Sequence, residues 1–65
     1  MKIEINGEPR EMEARTISEA LDELGLADAK VATALNGDFV PKALRGSQTL
    51  RDGDKLEVLA PMQGG

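Results

Sequence analysis

One stretch of the chain has helical spacing: Ile17, Ala20, Leu21 and Leu24 fall at i, i+3, i+4 and i+7. A helix this short, apolar on one side only, cannot bury itself and must lay that side on a sheet. Its limits are written locally. Thr16-Ile17-Ser18-Glu19 has the form of a capping box, with the Thr16 hydroxyl accepting from the Glu19 amide and the Glu19 carboxylate returning to the Thr16 amide. Gly25 stands where a left-handed C-cap residue is expected.

The segments around this helix alternate with period two. Ile3 and Ile5 share one face of a strand over residues 2–6, and Asn6-Gly7 supplies the two-residue turn of a tight hairpin. The return, residues 9–14, carries Met12 and Ala14 at period two, and Pro9 near its start suits an edge strand. Beyond the helix, the apolar run 30–35 turns at a second pair, Asn36-Gly37, into residues 38–40, where Pro41 stops the pairing. An irregular connection through Gly46 leads to the turn Asp52-Gly53-Asp54. A last strand follows over residues 55–60, with Leu56 and Val58 alternating with Lys55 and Glu57. The order strand, strand, helix, strand, strand, strand describes an α+β roll with no internal repeat or linker.

A chain of 65 residues makes one domain, and a domain of this size buries only about 60% of the surface its unfolded chain exposes. There is no Cys to staple it, so packing alone must hold it. There is no His either, which removes the usual general base and the commonest metal ligand and argues against self-contained catalysis. A net charge of -4 with the basic residues scattered disfavours nucleic acid and suits a partner with a basic surface. The start lacks an apolar signal region and no run reaches membrane-spanning length, so a soluble cytoplasmic protein, monomeric when free, is expected. Asp52, Asp54 and Glu57 could be a metal site or a docking patch, but D-G-D is good turn chemistry and no metal is expected.

The end of the chain is of another kind. After Pro61 the residues Met62-Gln63-Gly64-Gly65 have no apolar period, and Gly-Gly loses the most conformational entropy on ordering, so a flexible tail over 62–65 is expected beyond a domain over 1–61. Four extended residues reach at most about 13 Å, far enough to carry a carboxylate into a neighbouring protein's cleft. Without a Cβ at Gly64 or Gly65 such a tail passes a narrow channel. The terminal carboxylate is ionised at neutral pH, its reference pKa being about 3.5, and can attack the α-phosphate of ATP to form an acyl adenylate. A terminal Gly-Gly taken alone is also what a frayed chain end looks like; its place just beyond the last strand of this strand order is what makes it read as functional.

Three segments, Asn36-Gly37-Asp38-Phe39-Val40-Pro41-Lys42, Leu50-Arg51-Asp52-Gly53-Asp54 and Gln63-Gly64-Gly65, make the chain resemble the ThiS family of thiamine-biosynthesis sulfur carriers over essentially its whole length. The resemblance implies a ubiquitin-like β-grasp: a mixed five-stranded sheet packed on one main helix, the last strand central beside the first, and a flexible C-terminal Gly-Gly tail. It also implies that Gly65 is adenylated, converted to a thiocarboxylate and used to deliver sulfur to thiazole formation, with Gly64 and Gln63 needed for threading. The chain itself would hold no cofactor; ATP and Mg²⁺ would be used by a ThiF-like adenylating enzyme. A cysteine desulfurase or sulfurtransferase would supply sulfur, and a ThiG-like thiazole synthase would accept it. The chain departs from the family at residues 42–47, where members often hold an aromatic and this sequence has Ala43, Leu44, Arg45 and Gly46.

Alternation places Leu59 opposite Leu56 and Val58, on the helix-free face, where with Met62 it forms an apolar patch. Leu59, Met62 and Phe39, the one aromatic ring of the chain, are the expected docking residues. The tail chemistry is shared by molybdopterin-type carriers, carriers for other sulfur metabolites and modifiers of protein lysines. A β-grasp interaction module with an inert tail is the alternative from another class.

Overall fold

The computed structural model describes residues 1–60. Its elements are β1 (Lys2–Ile5), β2 (Glu8–Glu11), α1 (Ile17–Glu23), β3 (Ala32–Leu35), β4 (Asp38–Val40), a 3₁₀ turn (Lys42–Leu44) and β5 (Lys55–Leu59). The five strands form one sheet in the order β2-β1-β5-β3-β4. The pair β1–β5 is parallel and the other three pairs are antiparallel, so the sheet is mixed and the last strand in sequence is the middle strand in space.

Period-two patterning sends alternate side chains to the α1 side of the sheet. Ile3, Ile5, Leu35, Val40, Leu56 and Val58 are buried there with Ile17, Ala20 and Leu21 of the helix in a single cluster. Ile3, Ile17 and Leu56 have no exposed surface, and they come from β1, α1 and β5. The helix ends as a Schellman motif: Leu26 N–H donates to Leu21 O (2.7 Å), Gly25 N–H donates to Asp22 O (3.0 Å), and Gly25 has φ +76°. At its start the Thr16 hydroxyl accepts from Glu19 N–H at 3.2 Å, but the Glu19 carboxylate takes the Arg15 amide (2.8 Å) rather than that of Thr16. Thr16 instead lies in a bridge with Thr49, where Leu50 N–H donates to Arg15 O (2.8 Å) and Ile17 N–H to Gln48 O (3.1 Å).

The first strand ends at Ile5 rather than residue 6, because Asn6 already has the positive φ of the turn, and three further boundaries shift where a partner strand runs out. The second strand covers Glu8–Glu11 rather than 9–14: Met12 N–H still reaches Met1 O (2.8 Å), and Met12 and Ala14 are buried beyond the ladder. Pro9 lies opposite Glu4, whose own N–H points the other way to Asp54 O (2.9 Å), so the missing proline donor faces outward from the edge. Strand β3 begins at Ala32, not Lys30, because Ala32 already pairs with Leu59, where β5 ends; the last strand likewise stops one residue short of Ala60. Asp52 and Asp54 are turn residues: Lys2 N–H donates to Asp52 Oδ1 (2.7 Å), Arg51 N–H donates to Asp54 Oδ2 (2.8 Å), and Gly53 has φ +90°.

Both Asn-Gly pairs adopt the left-handed geometry of type I′ turns, with φ of 51° and 88° at Asn6-Gly7 and 51° and 89° at Asn36-Gly37. Their asparagine side chains do more than turn the chain. Where β1 stops, the Asn6 amide continues its ladder: Nδ2 donates to Val58 O (3.0 Å) and Val58 N–H donates to Oδ1 (2.8 Å). On the other flank Lys55 N–H donates to Asn36 Oδ1 (3.0 Å), and Asn36 Nδ2 donates to Asp54 Oδ1 (3.0 Å). Thus β5 is gripped by a side-chain amide from each hairpin.

These contacts predict an order of unfolding free energies. Asn6→Gly keeps a residue at ease with positive φ but removes two part-buried hydrogen bonds, a loss of about 1–3 kcal/mol. The exposed Asn36→Gly should lose less, and Leu56→Ala, at a position with no exposed surface, about 2–5 kcal/mol. Urea denaturation of the three variants checks the order; an Asn6→Gly protein as stable as the parent would remove the clamp from the account.

Candidate functional site

Because β5 is central, its end at Leu59 and Ala60 is held on the β3 side by the Ala32–Leu59 pairing and on the β1 side, one residue earlier, by the Asn6 amide at Val58. The tail residues Met62, Gln63, Gly64 and Gly65, and the boundary at 61, lie outside the described residues. What the described residues define is the ground from which that tail departs.

On the side of the sheet away from α1, register brings together residues that are far apart in sequence. Ala34 pairs with Phe39 on one side and Glu57 on the other, while Ala32 pairs with Leu59. Phe39 and Leu59 therefore stand on the same face, on either side of Ala32 and Ala34, as a shallow apolar strip. Both are large and exposed, at 69% and 61% of their surface, and the strip ends where β5 ends. Leu44, in the stretch where an aromatic was missed, is also exposed, at 53%, on the 3₁₀ turn.

Arg45, just after that turn, is a residue that the sequence reading left in an irregular connection. It is buried to 7%. Its Nε donates to Thr33 Oγ1 (2.9 Å) and its Nη2 to Val31 O (2.5 Å), while Thr33 Oγ1 donates onward to Val40 O (2.8 Å). Its own carbonyl accepts from Ser18 N–H (3.2 Å). One guanidinium thus ties the start of β3 to the 3₁₀ turn, and the backbone below it ties that turn to α1. No sequence signal marks this arginine, since its acceptors lie 12 and 14 residues away.

Arg45 also lines a groove of about 550 Å³ with Lys30, Lys42, Asp28, Leu59 and Ala60. The start of β3, the 3₁₀ turn and the end of β5 meet there. Among the described residues no group of three or more His, Cys, Asp or Glu is placed to hold a metal ion, and no helix is long and apolar enough to cross a membrane. The described residues therefore offer an apolar strip, a groove with a basic rim and the end of the central strand.

Known proteins place this arrangement. The ThiS family model matches residues 3–65, a span that includes the terminal Gln63-Gly64-Gly65. A sulfur carrier protein ThiS from Thermus thermophilus is 44% identical over 61 residues, covering 94% of this chain and 95% of that one. A thiazole synthase from Paramagnetospirillum magneticum is 44% identical over 66 residues; the match takes in all of this chain but only 20% of the synthase. In three dimensions the crystal structure of the thiamine biosynthesis protein ThiS from Geobacter metallireducens superposes with a TM-score of 0.85 at 32% identity, each chain covered in full. With a mixed five-stranded sheet packed on one α-helix among the described residues, and a family match that runs from residue 3 to residue 65, the chain belongs to the ThiS family.

Proposed function

We propose that this protein carries sulfur for thiazole formation in thiamine biosynthesis as a thiocarboxylate on Gly65. The observation that carries the reading is the family match running through the final Gln63-Gly64-Gly65, on a chain without Cys. With no thiol available, activated sulfur can be held covalently only at an acyl carbon, and the terminal one can leave the domain.

The chemistry follows in three steps. A Gly65 carboxylate oxygen attacks the α-phosphorus of ATP on an adenylating enzyme of the ThiF type; pyrophosphate leaves and an acyl adenylate forms. The terminal sulfur of a persulfide on a cysteine desulfurase or sulfurtransferase then attacks the acyl carbon and AMP leaves; a second thiol reduces the resulting acyl disulfide, forming a disulfide with the donor's sulfur and releasing the thiocarboxylate. The enzyme provides Mg²⁺ to neutralise phosphate charge, and this chain serves as co-substrate, not catalyst. The acceptor is a thiazole synthase. That choice over a molybdopterin-type acceptor is supported by the two curated thiazole synthases, 44% and 41% identical to this chain over all of its length, that contain a segment similar to it.

Phe39 and Leu59, with Met62 beyond them, form the contact surface in this reading. An enzyme that draws Gly65 into its ATP site must sit over the strand end, and the exposed strip there is apolar and already ordered by the sheet.

Two outcomes test the proposal. Deleting Gly65 should abolish ATP–pyrophosphate exchange with the adenylating enzyme while leaving thermal unfolding unchanged; exchange by the shortened chain would sink it. With a sulfur donor added, intact mass should rise by one oxygen-to-sulfur replacement, and fragmentation should locate it at Gly65. For the strip, Leu59→Ala should weaken the complex about tenfold or more, since burying a leucine contributes roughly 1.5–3 kcal/mol. Leu59 is 61% exposed, so the unfolding midpoint should hardly move; a large loss of stability with unchanged affinity would count against docking.

A further inference from the structure

The chain is acidic overall, at -4, yet one groove runs against that sign. Lys30 and Lys42 are exposed on its rim and Arg45 is buried in its wall, all beside Leu59 and Ala60. The Arg45 hydrogen bonds go to a threonine hydroxyl and a backbone carbonyl, both neutral. Among the described residues the ion pair present joins the Met1 ammonium to Glu11 at 2.9 Å, so none of the three groove cations is neutralised by a carboxylate within ion-pair distance. A buried guanidinium with only neutral acceptors is an unusual arrangement, because a desolvated charge is best compensated by an opposite one.

We propose that this groove is a second docking site, which takes an acidic peptide segment of the enzyme receiving the tail. The inference rests on the sulfur-carrier reading above and adds the partner's chemistry to it. An enzyme that takes up the tail must cover Ala60 and hence the groove, which opens on the same strand end. A carboxylate suits the site better than a phosphate. It carries one negative charge, can be met by the Lys30 and Lys42 ammonium groups on the rim, and tolerates Asp28 on the wall, which would repel a more highly charged anion. The groove of about 550 Å³ has apolar walls, including Leu59, that suit a peptide stem. It therefore works beside the Phe39–Leu59 strip: the strip contributes apolar contact, and the basic rim steers and orients the partner.

The experiment uses the full chain with its adenylating enzyme and ATP. Binding of the parent, Lys30→Glu/Lys42→Glu and Arg10→Glu is measured at about 0.1 M and about 1 M salt, where the screening length falls from about 10 Å to about 3 Å. Arg45 is left in place because it holds Val31 and Thr33. The double variant should bind about tenfold or more weakly at the lower salt, and most of the difference should vanish at the higher. Arg10, on the distant edge strand β2, should matter little. Thermal unfolding should be unchanged for all three, since the substituted side chains are exposed. If the double variant binds like the parent, or if Arg10→Glu weakens binding equally, the groove assignment is overturned. If the parent itself is not adenylated at Gly65, the carrier reading falls and the groove assignment falls with it; normal adenylation of both parent and variants removes only the groove.

Discussion

The structure depends on the insertion of the last strand between the first and the third. Until β5 is in place the sheet is two separate hairpins, β1–β2 and β3–β4, and an isolated two-stranded hairpin is at best marginally stable in water. Once inserted, β5 contributes Leu56 and Val58 to the core and closes the sheet under α1. The contact is long-range on both sides, a parallel ladder to β1 and an antiparallel one to β3. The entropy of closing such loops is spent before the contacts form, so the sheet should assemble late and as one unit. The same insertion places Leu59, where β5 ends, in the middle of the sheet rather than at an edge.

The two Asn-Gly turns solve a problem that central insertion creates. A parallel neighbour cannot cover the whole of β5, because β1 turns away at Asn6; without a substitute, the amide and carbonyl of Val58 would be left without a partner at a half-buried position. The Asn6 side chain supplies both a donor and an acceptor in the geometry of a backbone amide. Asn36 does the same at the other end of the strand, accepting from Lys55 and reaching the Asp52-Gly53-Asp54 turn through Asp54. Asp would meet the turn preference at either position, but it lacks the amide N–H donor that each contact uses.

Function then follows from what is rigid and what is exposed. The helix side of the sheet is fully committed to the core, which leaves the other face and the strand end to recognise partners. Phe39 and Leu59 remain exposed although their neighbours in the register are paired, and the Arg45 groove opens at the same end. Both surfaces adjoin the end of β5, whose position is fixed by its two ladders, which suits the proposed role of a carrier.

The sequence by itself determined the elements and the family to which the chain belongs. Helical spacing, the Thr16 cap, Gly25, the two Asn-Gly pairs and the alternation at Leu56 and Val58 are local signals, read within a few residues, and the observed helix and hairpins follow them. The ending Gln63-Gly64-Gly65 could be read as a family feature because that reading rests on composition and position rather than on packing, and the family model matches through it. Tertiary structure alone decided which residues meet. The partner of Asn6 lies 52 residues away, the burial of Arg45 depends on acceptors from another strand, and Phe39 joins Leu59 only because β3 lies between their strands. Strand ends, too, were set by where the neighbouring strand stopped, as at Ala32 and Leu59. Pairing across such separations is decided by which arrangement buries the apolar faces and satisfies the backbone together, a condition on the whole chain that no window of sequence contains.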